Sequence, residues 1–149
     1  MHIRKYKEED RKDVIELAKR FNTIDYMEFR DDRLMLEKQL ELVLQAVNHN
    51  SHNIYVAEDD RSILGYIELC IHIDYFTKRE QGYISAIAVS KNGEGKGIGK
   101  ALMKHAEDWS NTRSLGELIL DVFIANKKAV KFYENLGYQT EIVKMVKSL

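Results

Sequence analysis

The chain has 149 residues, 32% of them charged, and a formal net charge of −1 at pH 7. This length fits a single domain over residues 1–149, and the near-zero charge without an arginine-rich arm argues against a nucleic-acid partner. No apolar run could cross a bilayer, the N-terminus lacks a signal-peptide core and Cys70 is the single cysteine, so we expect no membrane partner and a cytoplasmic location.

The first 90 residues show a strand pattern, two helix patterns and three further strand patterns. Apolar residues three and four apart predict the helices, and alternating or continuous apolar runs predict the strands. In chain order, the predicted elements are a strand at 2–6, helices over Glu8–Phe21 and Arg30–Val47, and strands at 53–58, 63–73 and 83–89. The nearly continuous apolar run at 83–89 indicates burial on both faces. A hairpin of the last two strands, centred near Thr77, would place Glu68 opposite Ala86.

The second half of the chain repeats a strand–helix order. A helix ends near Asn111, a strand follows at 117–123, a helix covers Lys127–Leu136, and one more strand follows Gly137. Strand–helix–strand order implies a parallel pair joined by a crossover helix, beside antiparallel strands from the first half. We therefore predict a mixed sheet with helices on both faces.

Four glycines fall within seven residues of the stretch NGEGKGIGK, residues 92–100, directly before a predicted helix. A helix start leaves backbone N–H groups without partners, and glycine lets a ligand approach them closely. The stretch therefore predicts a phosphate site, to which Lys96 and Lys100 add positive charge; a merely flexible turn is the alternative. The nucleotide P-loop pattern fails at Glu94 and Ala101, and the dinucleotide pattern lacks its third glycine.

Residues 94–99 read EGKGIG and residues 126–138 read NKKAVKFYENLGY, each after a predicted strand. Together they resemble the GNAT superfamily of N-acetyltransferases, which carries [QR]-x-x-G-x-[GA] after its fourth strand and N-x-x-A-x-x-[FLY]-Y-x-x-x-G-[FY] after its fifth. The matching positions of the second segment are Asn126, Ala129, Phe132, Tyr133, Gly137 and Tyr138. Glu94 departs from the usual arginine or glutamine, and a carboxylate is unhelpful beside a pyrophosphate.

The resemblance implies an α/β (α+β) GNAT-like fold, with a mixed, mostly antiparallel sheet of six to seven strands, a splayed parallel central pair and helices on both faces. It also implies acetyl-coenzyme A as co-substrate and no metal. In this fold the cofactor lies between the splayed strands, where strand backbone pairs with pantetheine and loop amides hold the pyrophosphate. The implied cofactor-binding residues are Ile87, Ala88, Val89, Glu94, Gly95, Lys96, Gly97, Ile98, Gly99, Lys100 and Asn126.

The resemblance implies that Tyr133 is the general acid that protonates the leaving thiolate. Its helical spacing from Phe132 and other apolar residues, taken alone, fits an ordinary core tyrosine better. The general base stays open, because many relatives carry a glutamate in the central strand where this chain has Ser85 or Ala86. Glu68 and a water chain are the two candidates.

The expected activity is acetyl transfer from acetyl-coenzyme A to a primary amine of a small cationic molecule or peptide, directly within a ternary complex. Protein termini or lysines are alternative acceptors, a larger acyl group stays open, and a non-catalytic acyl-coenzyme A-binding or sensing module is the rival. Acids exceed bases by four up to Ser90, and bases exceed acids by three from Lys91 onward. This asymmetry suits a cationic acceptor and an anionic cofactor, although ordinary surface scatter fits equally well.

The acceptor region is expected between the first two helices, where acids and aromatic residues alternate. The residues expected to line its entrance are Asp25, Glu28, Asp31 and Asp32, with Phe21, Tyr26 and Phe29. The short tail after Gly137 leaves two alternatives open, a homodimer that completes the sheet edge and an edge that is simply short.

Overall fold

The computed structural model describes residues 1–23 and 26–149, with the backbone alone at 22 and 23. The strands are β1 (His2–Lys5), β2 (Ile54–Asp59), β3 (Ser62–Ile73), β4 (Glu80–Val89) and β5 (Leu118–Leu120). The helices are α1 (Arg11–Ala18), α2 (Asp32–His49), α3 (Ile98–Asn111) and α4 (Lys127–Asn135). Short 3-10 turns lie at Glu8–Asp10, Lys19–Thr23, Ser51–Asn53 and Lys91–Gly93. Among these described helices, none combines the length and apolar character that a bilayer span requires.

The strands of the described residues form one sheet, and their order across it is their order along the chain. All neighbouring strands are antiparallel except β4 and β5, which pair in parallel over Gly82–Ile84 and Leu118–Leu120. The β3–β4 hairpin places Glu68 opposite Ala86, so the register expected from the sequence is confirmed. The mixed, mostly antiparallel sheet with one parallel pair is confirmed as well.

The two faces of the sheet support separate cores. In β2, Ile54 and Val56 belong to one core while Tyr55 and Ala57 belong to the other, as the two-residue period of a strand requires. Helices α1 and α2 cover the first core, and α3 covers the second. The prediction of helices on both faces is therefore confirmed.

Two details of the predicted sheet are wrong. The described residues form five strands instead of six to seven, and the parallel pair lies at the edge of the sheet instead of its centre. The tail after Gly137 forms no strand, and its apolar side chains from Ile142 onward are exposed, Met145 to 92%. Because β5 is only three residues long, its outer edge offers too few backbone groups to hold a further strand in register.

A buried ion pair joins β1 to the turn before α1. The Arg4 guanidinium donates to the two carboxylate oxygens of Asp10 at 2.7 and 2.8 Å, and also to Glu58 on β2. The backbone N–H of Lys7 donates to Asp10 at 2.8 Å. Burial disfavours the charged carboxyl, but the Arg4 hydrogen bonds, the Lys7 N–H and the Arg4 charge outweigh it and hold the pKa of Asp10 below its ordinary value.

We expect Asp10→Ala to lower the free energy of unfolding by about 2 kcal/mol at neutral pH, because Arg4 and the Lys7 N–H lose a buried acceptor while Arg4 keeps Glu58. A carboxyl whose pKa is lowered on folding stabilises the protein above its unfolded pKa of about 3.9, and that stabilisation is lost as the pH falls through the folded pKa. The difference in free energy of unfolding between wild type and variant should therefore become smaller at acid pH. Urea unfolding at neutral and acid pH measures it, with Glu9→Ala at an exposed neighbouring acid as control. Equal stability of the two variants at neutral pH would contradict this expectation.

Candidate active site

The pairing of β4 with β5 ends partway along β4, and the space between the two segments beyond that point is called the cleft below. Their parallel pairing ends at Ile84 and Leu120, whereas β4 continues to Val89. The pairing of β3 with β4 shifts register next to Glu68, which leaves Ser85 as the extra residue of a β-bulge. Because a bulge bends its strand, β4 diverges from β5 at this point.

The edge of β4 that faces the cleft has no strand partner beyond Ser85 within the described part of the chain. Ile87, Ala88 and Val89 lie along this edge and are only partly buried. Their side chains still pack on both faces, Ile87 and Val89 against the α3 core and Ala88 against the other, so the predicted burial on both faces is only partial in the second half of the strand. Backbone N–H and C=O groups on an open edge can pair with an extended ligand as an added strand would.

The glycine loop leads from the end of β4 into α3. Gly97 precedes the helix with φ of 77°, a left-handed conformation that costs a residue with a Cβ about 1 kcal/mol. Within the described chain, the backbone N–H groups of Gly97, Ile98, Gly99 and Lys100 have no acceptor, and the first helical bond runs from Ala101 N–H to the Gly97 carbonyl. Unpaired N–H groups at the positive end of a helix dipole are suited to bind an anion.

Helix α4 packs over the glycine loop through Phe132. The position of a Cβ on Gly99 lies 3.4 Å from the Phe132 ring and 3.8 Å from the Val89 side chain. Asn126 caps the start of α4, and its side-chain oxygen accepts the Ala129 N–H at 3.3 Å. The loop, the end of β4 and α4 therefore meet at one end of the cleft.

Tyr133 follows Phe132 on the side of α4 that packs against the α3 core. Its ring centre lies 5.3 Å from that of Phe132 and 6.0 Å from that of Tyr138. Burial alone raises the pKa of the Tyr133 hydroxyl, and no hydrogen bond from the described chain shifts it. A phenol in this setting stays protonated, so it can give its proton to a strong base.

Glu68 and its neighbours form a polar group beside the bulge. Asn50, which directly follows α2, donates its side-chain N–H to Glu68 Oε1 at 2.8 Å. The Ser85 hydroxyl donates to the Glu68 carbonyl at 3.3 Å, and the Cys70 thiol donates to the Ser85 hydroxyl at 3.6 Å. Burial is the main reason why the pKa of Cys70 is raised, and the Glu68 charge adds to it. The Glu68 carboxylate is thus held in a fixed position close to where β4 leaves β5.

A further polar pair at the cleft was not anticipated from the sequence. Tyr83 on β4 donates its hydroxyl to Asp121 at 3.0 Å, and Asp121 directly follows β5. Burial raises the pKa of Tyr83 to about 12, with the charges of Asp121, Cys70 and Glu68 adding to the effect. The sequence signal was an acid within the predicted strand at 117–123, but only the parallel register of Tyr83 with Ile119 brings the two side chains together.

Residues 26–30, which precede α2, lie against Phe123, three residues beyond β5. The ring centres of Tyr26 and Phe123 are 5.9 Å apart, and the Arg30 guanidinium lies 5.0 Å from the Phe123 ring centre. Phe29 is exposed and also contacts Arg30, whereas Phe21 is partly buried in the turn after α1. The predicted acceptor segment therefore lies next to the end of β5.

The predicted acidic entrance is brought together only in part. Asp25 lies outside the described residues. Asp31 caps the start of α2, and Asp32 accepts the Tyr26 hydroxyl at 2.5 Å, so both carboxylates have structural partners. Glu28 is exposed. The acids of this segment are therefore not one continuous surface around the cleft.

Glu94 begins the glycine-loop pattern, and its carboxylate has two cationic partners. Oε1 lies 2.5 Å from the Arg20 guanidinium, and Oε2 lies 3.7 Å from the Lys128 ammonium. Gly95 and Lys96 continue the loop on the exposed surface. Because both carboxylate oxygens are engaged, Glu94 does not leave an uncompensated negative charge beside the loop amides.

A protein-family model described as the Acetyltransferase (GNAT) family matches residues 12–138. Among solved structures, a chain from Pyrococcus furiosus, assigned provisionally as an acetyl transferase, superposes with a TM-score of 0.80. It is 30% identical, and the match covers 99% of each chain.

Two curated relatives match shorter segments. An uncharacterised N-acetyltransferase of Methanocaldococcus jannaschii, MJ1530, is 36% identical over 86 residues, which are 57% of this chain and 51% of that protein. Spermidine N(1)-acetyltransferase of Vibrio cholerae is 31% identical over 103 residues, 68% of this chain and 57% of that protein. The chain thus spans little more than half the length of these curated relatives.

Proposed function

Because the chain belongs to the Acetyltransferase (GNAT) family, we propose that it moves an acetyl group from acetyl-coenzyme A to a primary amine of a small cationic molecule or peptide. The transfer is direct, within a ternary complex. One observation carries this proposal. The open edge of β4 at Ile87–Val89 is followed in the chain by the loop whose N–H groups at Gly97–Lys100 have no partner among the described residues.

The residues of the cleft fit both parts of this co-substrate. The open edge of β4 offers backbone groups to the amides of the pantetheine arm, and the loop N–H groups suit its diphosphate. The thioester supplies the activated acetyl group. In this arrangement the reacting carbon lies at the mouth of the cleft, between Tyr133 on one side and the Glu68 group on the other.

The acceptor amine must lose a proton before it attacks. At an ordinary pKa of about 10.4, removing that proton at neutral pH costs about 4.6 kcal/mol. Glu68 is the base in this proposal, either directly or through a water, because Asn50 and the bulge fix its carboxylate beside the cleft. The new N–C bond then forms as the C–S bond breaks, and Tyr133 gives its proton to the departing sulfur.

The negative charge that develops on the carbonyl oxygen needs a hydrogen-bond donor. The bulge at Ser85 takes backbone groups of β4 out of the regular ladder, and we assign the donor to an N–H of this segment. Cys70 does not act as a nucleophile in this proposal, because burial raises the pKa of its thiol and keeps it protonated. The acetyl group therefore passes directly from the thioester to the amine in this proposal, without an acyl-enzyme.

Asp121 is the acceptor-binding acid of this proposal, because its carboxylate is exposed and follows β5 at the cleft mouth. We expect Asp121→Asn to raise KM for a cationic amine about tenfold, while kcat and coenzyme A affinity change little, since one charge-assisted contact is lost. Asp60→Asn, in the remote β2–β3 turn, is the matched control. An unchanged KM in Asp121→Asn would remove this residue from acceptor binding.

A panel of amines tests the proposed function. Wild-type protein is mixed with acetyl-coenzyme A and each of a polyamine, an aminoglycoside, an amino acid and short peptides, and free thiol is measured. We expect thiol release with at least one cationic amine, and the polyamine is the first choice because a relative acts on spermidine. Coenzyme A binding without turnover on any amine would favour a sensing module instead.

A further inference from the structure

The turn between α2 and β2 lies directly beside Glu68. Its 3-10 helix ends at Asn53, and Ile54, the first residue of β2, stands opposite Glu68 in the pairing of β2 with β3. β3 continues past this point, so within the described chain no residue of β2 pairs with Leu69. The side chain of Asn50 takes that place, because its amide nitrogen donates to the Leu69 carbonyl at 3.2 Å.

The orientation of the Asn50 amide is fixed by its partners. The amide nitrogen donates to Glu68 Oε1 at 2.8 Å as well as to the Leu69 carbonyl, and the Cys70 sulfur lies 3.4 Å away as a weaker acceptor. A carboxylate and a backbone carbonyl can only accept hydrogen bonds, so the nitrogen of this amide must face them. Its oxygen, Oδ1, accepts the side-chain N–H of Asn53 at 3.0 Å. A flipped amide would turn its oxygen toward two acceptors and its nitrogen toward a donor.

Glu68 is held through one carboxylate oxygen. Among the described residues, the Asn50 amide is the only hydrogen-bond donor to this carboxylate, and no cation forms an ion pair with it. A neutral amide orients a carboxylate without neutralising its charge, whereas a cation in the same place would favour the charged form and make it a weaker base. Oε1 is therefore engaged, and Oε2 is left to take a proton.

We propose that Asn50 is a positioning residue, itself oriented by Asn53, that holds Glu68 Oε1 so that Oε2 faces the acceptor amine. The proton passes from the amine nitrogen to Oε2, and the lone pair that remains on the nitrogen attacks the thioester carbon. This inference rests on the proposed function, because it concerns the base of that reaction. It goes further in naming the oxygen that takes the proton and the two amides that determine the choice.

The charge state of Glu68 can be followed through the pH dependence of kcat. The titratable groups that its charge affects are Tyr66, Cys70 and Tyr83. Burial raises the pKa of each of them, so all three are neutral at acid and neutral pH. Three exposed groups around the site are the same in every variant of the test, namely His49, His52 and Asp121. A difference between variants on the acid side of the profile therefore reports on Glu68.

Asn50→Asp is the main test. The variant keeps the size of the side chain but places a second carboxylate beside Oε1, so the charged form of Glu68 becomes less favourable. We expect the acid limb of the kcat profile to move up by about one pH unit, with little change in KM for the amine. A merely structural role of Asn50 would lower stability and leave the acid limb in place. Asn48→Asp, the same change at an exposed position of α2, is the matched control.

Two further variants separate orientation from charge. Asn50→Ala removes the hydrogen bond to Glu68 without adding a charge, and kcat should fall about tenfold with KM unchanged, because the base is less well aligned. Asn53→Ala should lower kcat only about threefold, since the bonds of Asn50 to Glu68 and Leu69 remain. If Asn50→Asp does not fold, Asn53→Ala decides, and an unchanged kcat in that variant would overturn the inference.

The outcomes distinguish this inference from the proposals on which it rests. An acid limb that stays in place in folded Asn50→Asp would overturn the inference and leave Glu68 as the base. Equal kcat values of Glu68→Gln and wild type would overturn the assignment of the base and the inference with it. Absence of thiol release by the wild type with every amine would overturn the proposed function itself.

Discussion

Tyr133→Phe is expected to lower kcat for acetyl transfer by about a hundredfold, which lies within the range for the loss of a general acid. The thiolate would then leave without a proton donor, while the ring and its packing against Phe132 are kept. Coenzyme A affinity should change little. Because burial raises the pKa of Tyr133, the wild type keeps its acid protonated up to strongly alkaline pH, and kcat should decline only above the ordinary pKa of about 10.

Tyr138→Phe is the matched control for this variant. Tyr138 is a neighbouring tyrosine, its ring centre lies 6.0 Å from that of Tyr133, and burial raises its pKa to about 12. Its hydroxyl is buried and has no hydrogen-bond partner among the described residues, so its removal should leave kcat near the wild-type value. If the two variants had equal kcat values, Tyr133 would be a packing residue and another group would protonate the sulfur.

Glu68→Gln is expected to lower kcat by about a hundredfold at neutral pH, because the acceptor then has to lose its proton without a base. Glutamine has the same shape and can still accept the hydrogen bond from Asn50, so the fold should be retained. As the pH approaches the amine pKa of about 10.4, more of the acceptor is already neutral and the deficit should shrink. Rates of thiol release across this pH range measure the effect.

Glu80→Gln provides the control, since Glu80 is an exposed acid at the other end of the same hairpin. Its kcat should match that of the wild type at every pH. If the Glu68→Gln deficit stayed constant as the pH rose, Glu68 would orient the site and a water chain would carry the proton.

The parts of the site that lie close together in sequence could be predicted from it. The β3–β4 hairpin is local, so a turn near Thr77 was sufficient to place Glu68 opposite Ala86. The glycine loop is likewise local, and its pattern indicated free N–H groups at the start of α3, which the structure has at Gly97.

Features that depend on distant pairings could not be predicted. Asp121 meets Tyr83 only because β5 pairs in parallel with β4 in one register, and a slip of one residue would turn every side chain of β5 to the other face. Arg20 reaches Glu94 across 74 positions of sequence. Periodicity carries no information about such contacts.

The strand count failed for a related reason. The tail after Gly137 has the apolar content of a strand, but a strand forms only against an edge that can pair with it. β5 ends at Leu120, and its length depends on where β4 bends away at Ser85. The apolar pattern of the tail therefore contains no information on whether β5 is long enough to pair with it.

The most direct measurement is a titration of isotope-labelled protein with coenzyme A, followed by amide resonances in NMR spectra. We expect the largest shifts at Gly97, Ile98, Gly99 and Lys100, whose N–H groups are free in the structure, together with shifts along the open edge of β4 at Ile87–Val89. Resonances of these amides that stayed at their original positions with coenzyme A in excess would contradict the assignment of this cleft to an acetyl donor.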